Sequence, residues 1–120
     1  MKIEFDTDRI LRDDEKQEDF FGNLIEKGLN KFEPHICRIE VHLMDIHEAK
    51  KGVINKSCIL EARLHGMQPV TISCQAKLVK IAVLGAIEKL KSSLEKQIAQ
   101  LQNHKNQNQS ATVISNLSNF

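Results

Sequence analysis

Tryptophan and tyrosine are absent from this chain, and phenylalanine supplies all five aromatic rings. A Trp- or Tyr-based platform for stacking unpaired bases is therefore excluded. Proline occurs twice and glycine five times, at scattered positions. They form neither G-x-G-x-x-G nor G-x-x-x-x-G-K-[ST], so no glycine-rich phosphate loop exists. Cys37, Cys58 and Cys74 make no C-x₂-C pair, and no two of the five histidines are spaced as H-x₃-H. That spacing argues against a zinc site, and an odd thiol count argues against a disulfide framework. No run approaches the roughly 18 apolar residues of a membrane span. The first residues, Met1 to Asp6, lack the apolar centre of a secretory signal, so a cytoplasmic chain is expected, with no membrane partner.

What is present suits one soluble domain. A length of 120 residues can bury a single core, and 41% hydrophobic with 28% charged residues is ordinary for a globular protein. The net charge of +1 conceals a polarity. Residues 1–20 carry eight acids against four bases, whereas residues 21–120 carry eight acids against thirteen bases. An acidic front end thus precedes a mildly basic body able to attract phosphates.

Lys2 to Asp6 alternates, with Ile3 and Phe5 on one side, as a short strand does. Asp6 to Asp13 reads as a loop. A helix starts near Asp14, which is an N-cap candidate with Gln17 three residues on, and Glu15, Glu18 and Asp19 suit the positive end of its dipole. Phe21, Leu24, Ile25, Gly28, Leu29 and Phe32 form its buried stripe, and Pro34 stops it. Gly22 and Gly28 cost helix propensity, so close packing against a sheet is expected there. Cys37 to Leu43 then alternates, with Cys37, Ile39, Val41 and Leu43 inward. After a polar connection at Glu48 to Gly52, Ser57 to His65 alternates again, with Cys58, Leu60, Ala62 and Leu64 inward. His65 to Gln68 is a hairpin turn, and Val70, Ile72 and Cys74 line a last strand opened by Pro69.

From about Ala76 to Asn103 the period becomes 3.6. Val79, Val83, Ala86, Ile87, Leu90, Leu94, Ile98 and Leu101 share a face, while Lys77, Lys89 and Lys96 lie opposite and Lys80 and Lys91 border it. Such a helix is on the order of 40 Å long, more than a small sheet covers. Residues 1–105 are expected to form the folded domain, and 106–120, rich in Asn, Gln and Ser, a mobile polar tail. Between Lys77 and Lys105 six lysines face two glutamates. With Lys27 and Lys31 of the first helix, they could form one phosphate-binding surface of steep salt dependence and little sequence preference. Leu78, Ile81 and Leu84 fall on the polar side of the long helix, and cover by the first helix is expected for them. The alternative is contact with another protein.

No catalytic set is legible. All three cysteines fall on apolar sides of their strands, where a reduced thiol is a small hydrophobe. His42 and His65 face outward near Glu40, Glu61 and Arg63, with no third group and no pocket. The reading is non-enzymatic, with no metal, cofactor or small-molecule substrate.

Three stretches resemble a known family. Asn30-Lys31-Phe32-Glu33 looks like its A-K-L-E end of a first helix, and Arg38-Ile39-Glu40-Val41-His42-Leu43 like its second strand. Ala82-Val83 through Ala86-Ile87-Glu88-Lys89-Leu90 to Leu94 is similar to its A-I-D-x-x-I-D-K-L-x-x-Q-L helix. On these residues the chain, over about 1–105, resembles the ribosome hibernation-promoting factors and ribosome-associated inhibitor A, in their short form. The resemblance implies an α+β fold of order β-α-β-β-β-α, a four-stranded sheet with two helices packed on one face, like a double-stranded-RNA-binding domain. It implies a partner, the small ribosomal subunit and its rRNA, bound in the channel for messenger and transfer RNA so that translation stops in dormant or stressed cells. It also implies rRNA contacts at Lys31, Lys89, Lys91 and Lys96, while Lys27, Lys77 and Lys80 join the set from their place on the same helices. The second, dimerising domain of the long form is not expected.

Lys80 stands where the family has a tyrosine, and Leu84 where it has an aspartate. These departures carry the alternative reading, a protein-interaction module with the same fold and no ribosome binding, with Leu78, Ile81 and Leu84 as contacts in a homodimer or with a foreign partner.

Overall fold

The computed structural model describes residues 1–7, 15–48 and 53–117. The element order is β1 (Lys2–Thr7), α1 (Glu15–Leu29), a 3₁₀ segment (Asn30–His35), β2 (Ile36–Glu48), β3 (Val53–Leu64), β4 (Val70–Ala76) and α2 (Val79–Leu117). The strands form one sheet in the order β1-β2-β3-β4. β1 runs parallel to β2, and the other neighbours are antiparallel. The α+β arrangement with both helices on one face is therefore the observed fold.

The register explains why one sheet face is apolar. Phe5, Val41, Leu60 and Ile72 lie in a row across all four strands. Ile3, Ile39, Ala62 and Val70 make a second row, and Leu43, Cys58 and Cys74 a third. Onto these rows α1 sets Phe21, Ile25 and Leu29, and α2 sets Val83, Ala86, Ile87, Leu90 and Leu94, all buried in one cluster. At about 25 cal/mol per Å² of apolar area removed from water, this cluster is the dominant stabilising term.

The strand reading missed one residue. β2 begins at Ile36, and its pairing with β3 shifts between Ile36 and Arg38. Cys37 is the extra residue of that bulge, so Ile36 is buried and Cys37 is exposed, the reverse of the alternation read from sequence. β2 and β3 also run longer than expected, since pairing continues through Glu48 and Val53. Asp14 as a cap, the loop before it and most of the 48–52 connection lie outside the described residues.

α1 ends at Leu29, and Pro34, expected to stop the helix, lies instead inside the 3₁₀ turn that follows and buries Phe32. Gly28 packs against a helix and not the sheet: a Cβ there would stand 2.6 Å from Ile87 Cγ2. Gly22 faces Phe5 of β1 at an ordinary 3.6 Å. Gly66, in the turn between β3 and β4, has φ 71°, the left-handed region that glycine enters without strain.

α2 carries helical backbone to Leu117, fourteen residues past the Asn103 end read from sequence. No glycine or proline follows Gly85, and Asn, Gln and Ser cost only tenths of a kcal/mol each, so nothing interrupts propagation.

Candidate nucleic-acid interface

The two helices lie side by side and run in the same direction. Near their starts the Lys80 ammonium sits 5.7 Å from the centre of the Phe20 ring. Gly28 meets Ile87 at the middle, and Lys31 donates to Glu95 Oε1 at 2.7 Å towards the end. The groove between them, about 520 Å³, is lined by Lys27, Lys31 and Lys91 together with Glu88 and Glu95. Lys91 reaches Glu88 at 3.3 Å, one turn away. Lys89 leaves the other flank of α2 and donates to the Ser73 carbonyl of edge strand β4 at 3.1 Å. Lys77, Lys80 and Lys96 are exposed.

The predicted lysines thus share the helical layer but do not form an uninterrupted strip. Lys27, Lys31 and Lys91 border one groove, while Lys89 lies across α2 from it. Glu88 and Glu95, from α2 itself, separate them. The described acids of the first helix do not intrude: Glu18, Asp19 and Glu26 line a separate hollow with Ile3 and Phe5, on the β1 side of α1. Among the described residues, Lys31 and Lys91 have carboxylate partners, while Lys27, Lys77, Lys80, Lys89 and Lys96 have none. The Lys31 ammonium, by hydrogen bond first and charge second, holds the Glu95 carboxyl below its ordinary range.

The opposite face of the sheet is electrostatically closed. Its register stacks Glu4, Glu40 and Glu61 in one row and Lys2, Arg38 and Arg63 in the next. Like charges side by side repel, and the adjoining row of opposite sign compensates. Arg38 binds Glu40 at 2.7 Å, Arg63 binds Glu61 at 3.2 Å and Lys2 binds Glu4 at 3.2 Å. His42 stands 3.3 Å from Asp6. Glu40, His42 and Glu61 bring ligand atoms within 4.8 Å of one another, but Arg38 and Arg63 already supply the positive charge there. The fourth strand cation, Lys56, lies on the other face, two residues from Cys58, and binds Asp45 at 2.6 Å.

α1 does not cover Leu78, Ile81 and Leu84, which stay 64%, 52% and 38% exposed. The expectation fails because α1 lies beside α2 along the flank of Lys80 and Ile87, so the ridge that runs from Leu84, at the rim of the groove, round the helix through Ile81 to Leu78 is left uncovered. Phe20, 47% exposed, was not picked out from sequence. Its signal was available: Phe21 belongs to the buried stripe, and one residue back on a helix is a rotation of about 100°.

Among the described residues, no helix is long and apolar enough to cross a membrane. No protein-family model matches the chain, and no curated protein matches it. Among solved structures, it is similar to a ribosomal subunit interface protein from Coxiella burnetii, at 20% identity and a TM-score of 0.60. That match covers 82% of this chain and 99% of the other. It is also similar to the N-terminal domain of Protein Y from Thermus thermophilus, at 16% identity and a TM-score of 0.63, covering 80% of this chain and 98% of that one. Identities this low establish a shared fold, and it is the fold that the sequence resemblance implied.

Proposed function

We propose, from the fold shared with a ribosomal subunit interface protein, that this chain is a non-enzymatic cytoplasmic factor that binds the small ribosomal subunit. It occupies the channel for messenger and transfer RNA and inhibits translation in dormant or stressed cells. The observation that carries this reading is the uneven neutralisation of the two faces. Each of the three cations on the outer sheet face, Lys2, Arg38 and Arg63, has a carboxylate partner, whereas five of the seven candidate lysines of the helical layer have none among the described residues. An array of backbone phosphates is attracted to the layer whose cations are free, and little is lost in desolvating them. Glu18, Asp19 and Glu26 of α1 lie on its far side, so they do not oppose such a contact.

Sedimentation with purified small subunits at low salt tests the reading. The wild-type protein is expected to travel with the subunit and to dissociate steeply as salt rises. Replacing Lys27, Lys89 and Lys96 by glutamine, which breaks no ion pair, is expected to lower the log–log salt slope by about 3. A wild-type protein that stays at the top of the gradient in low salt would refute it.

A further inference from the structure

The two edges of the sheet are built differently. β1 carries a charge at every second residue, Lys2, Glu4 and Asp6, and charged side chains discourage an added strand. β4, the other edge, carries none over Val70–Ala76 and pairs with β3 throughout without a bulge. The register fixes where its backbone groups point. The His65 N–H donates to the His35 carbonyl, on the β2 side of β3. Backbone groups change side at each residue of an antiparallel strand, so even-numbered residues of β3 bond β4. Each of these stands opposite an even-numbered residue of β4. Val70, Ile72, Cys74 and Ala76 therefore turn their N–H and C=O groups to β3, while Thr71, Ser73 and Gln75, all exposed, turn theirs to the open side. The bond from the Lys89 ammonium to the Ser73 carbonyl, at 3.1 Å, agrees with that direction. Among the described residues, the other contact to these outward groups is a long one, from the Cys74 thiol to the Gln75 carbonyl at 3.9 Å.

The charge beside this edge has one sign. α2 passes along β4 with Gly85 over Cys74, Lys89 at Ser73 and Gln97 at the turn before the strand. Lys96 follows Lys89 by two helical turns, so it shares that side of α2, about 10 Å further along. Both lysines are exposed, and neither has a carboxylate partner among the described residues. Glu88 and Glu95 lie on the opposite flank, in the groove with α1. We infer that the β4 edge is a docking site for an extended acidic segment of another protein. The segment adds as a fifth strand beside Thr71, Ser73 and Gln75 and sets carboxylates on its helix side against Lys89 and Lys96. Main-chain pairing holds it, and the alternate carboxylates select it. A second copy of β4 does not fit: pairing about Ser73 would bring two Lys89 ammonium groups together, and β4 has no acid to meet them. The inference does not rest on ribosome binding, and its test uses protein free of ribosomes.

The probe is a fluorescent peptide of alternating threonine and glutamate, as long as β4, followed by anisotropy at low salt. Binding to the wild type is expected with a Kd of roughly 10–500 μM. Lys89→Glu is expected to weaken it about tenfold or more, and replacing the glutamates of the peptide by lysine to abolish it. N-methylation of the threonines keeps every charge but removes the donors that face β4, and is also expected to abolish binding. Hydrogen exchange locates the contact. The amides of Thr71, Ser73 and Gln75 should slow when peptide is added, while those of Ile72 and Cys74, already bonded to β3, should not change. Absence of binding overturns the inference. So does binding indifferent to Lys89→Glu, or an N-methylated peptide that binds equally well, which would mean charge attraction without strand pairing. A peptide-free protein that dimerises and protects the Thr71, Ser73 and Gln75 amides would give the edge to a second copy and overturn it too.

Discussion

Two of the three thiols differ as sharply as one fold allows. Cys58 is fully buried and sits directly across the ladder from Cys74, while Cys37 protrudes from the β2 bulge. Burial, with a smaller contribution from the Cys74 thiol, pushes the Cys58 pKa up to about 12. An unfolded cysteine titrates near 8.5, so the fold favours the neutral thiol. The associated stability is complete below about pH 8.5 and is lost as pH climbs towards 12. Urea midpoints are therefore expected to fall between pH 8.5 and 10.5, and the fall should flatten in Cys58→Ala. A disulfide reagent at pH 8 should label Cys37 rapidly and Cys58 only on unfolding; rapid labelling of Cys58 would contradict its burial.

Gly85 is the second residue whose meaning lies in its neighbour. A Cβ there would stand 2.5 Å from Cys74 Sγ, closer than side-chain carbons come. Gly85→Ala is expected to cost about 1–3 kcal/mol from overpacking, partly offset by the better helix propensity of alanine. In a Cys74→Ala background the same change should become neutral or stabilising. A urea-denaturation double-mutant cycle measures the coupling, and additive costs would disprove the contact.

At the scale of elements, α2 is the exceptional one. Thirty-nine residues give about 58 Å of helix, but the last buried side chain among the described residues is Ile98. Leu101, read as part of the buried stripe, is 38% exposed, because the sheet and α1 end before it. The segment beyond contributes length and no described core contact. Deleting residues 106–120 is expected to change unfolding free energy by no more than about 0.5 kcal/mol, as for surface changes generally. It should also lower the helical signal in circular dichroism. A large loss of stability would show that these residues pack where none of the described contacts place them.

The radius of gyration of the whole molecule, 18.8 Å, exceeds the roughly 14 Å of a compact chain of this length. A principal extent of 67 Å, against 32 and 18 Å for the others, assigns the excess to α2. Charge is distributed on the same scale: the outer sheet face neutralises itself row against row, and net positive charge stays with the helical layer. If about five lysines contact phosphates, ribosome affinity should fall on the order of 10²–10³-fold between 50 and 200 mM salt. A salt-independent complex would point to apolar contact instead, with the ridge of Leu78, Ile81 and Leu84 as the surface responsible.

Alternation of period two and stripes of period 3.6 are local properties, and they sufficed to place six elements, the side of the sheet that is buried and most of the core. They determine which residues seek cover because side-chain direction repeats along a backbone of known geometry. The bulge at Cys37, the side-by-side lie of the helices and the exposure of Leu78, Ile81 and Leu84 were decided by packing between segments distant in sequence. So was the division of cations into paired and free. An ion pair such as Lys31 with Glu95 joins residues 64 positions apart, and no local pattern encodes that distance. Only closure of the helices over the sheet brings the two charges together.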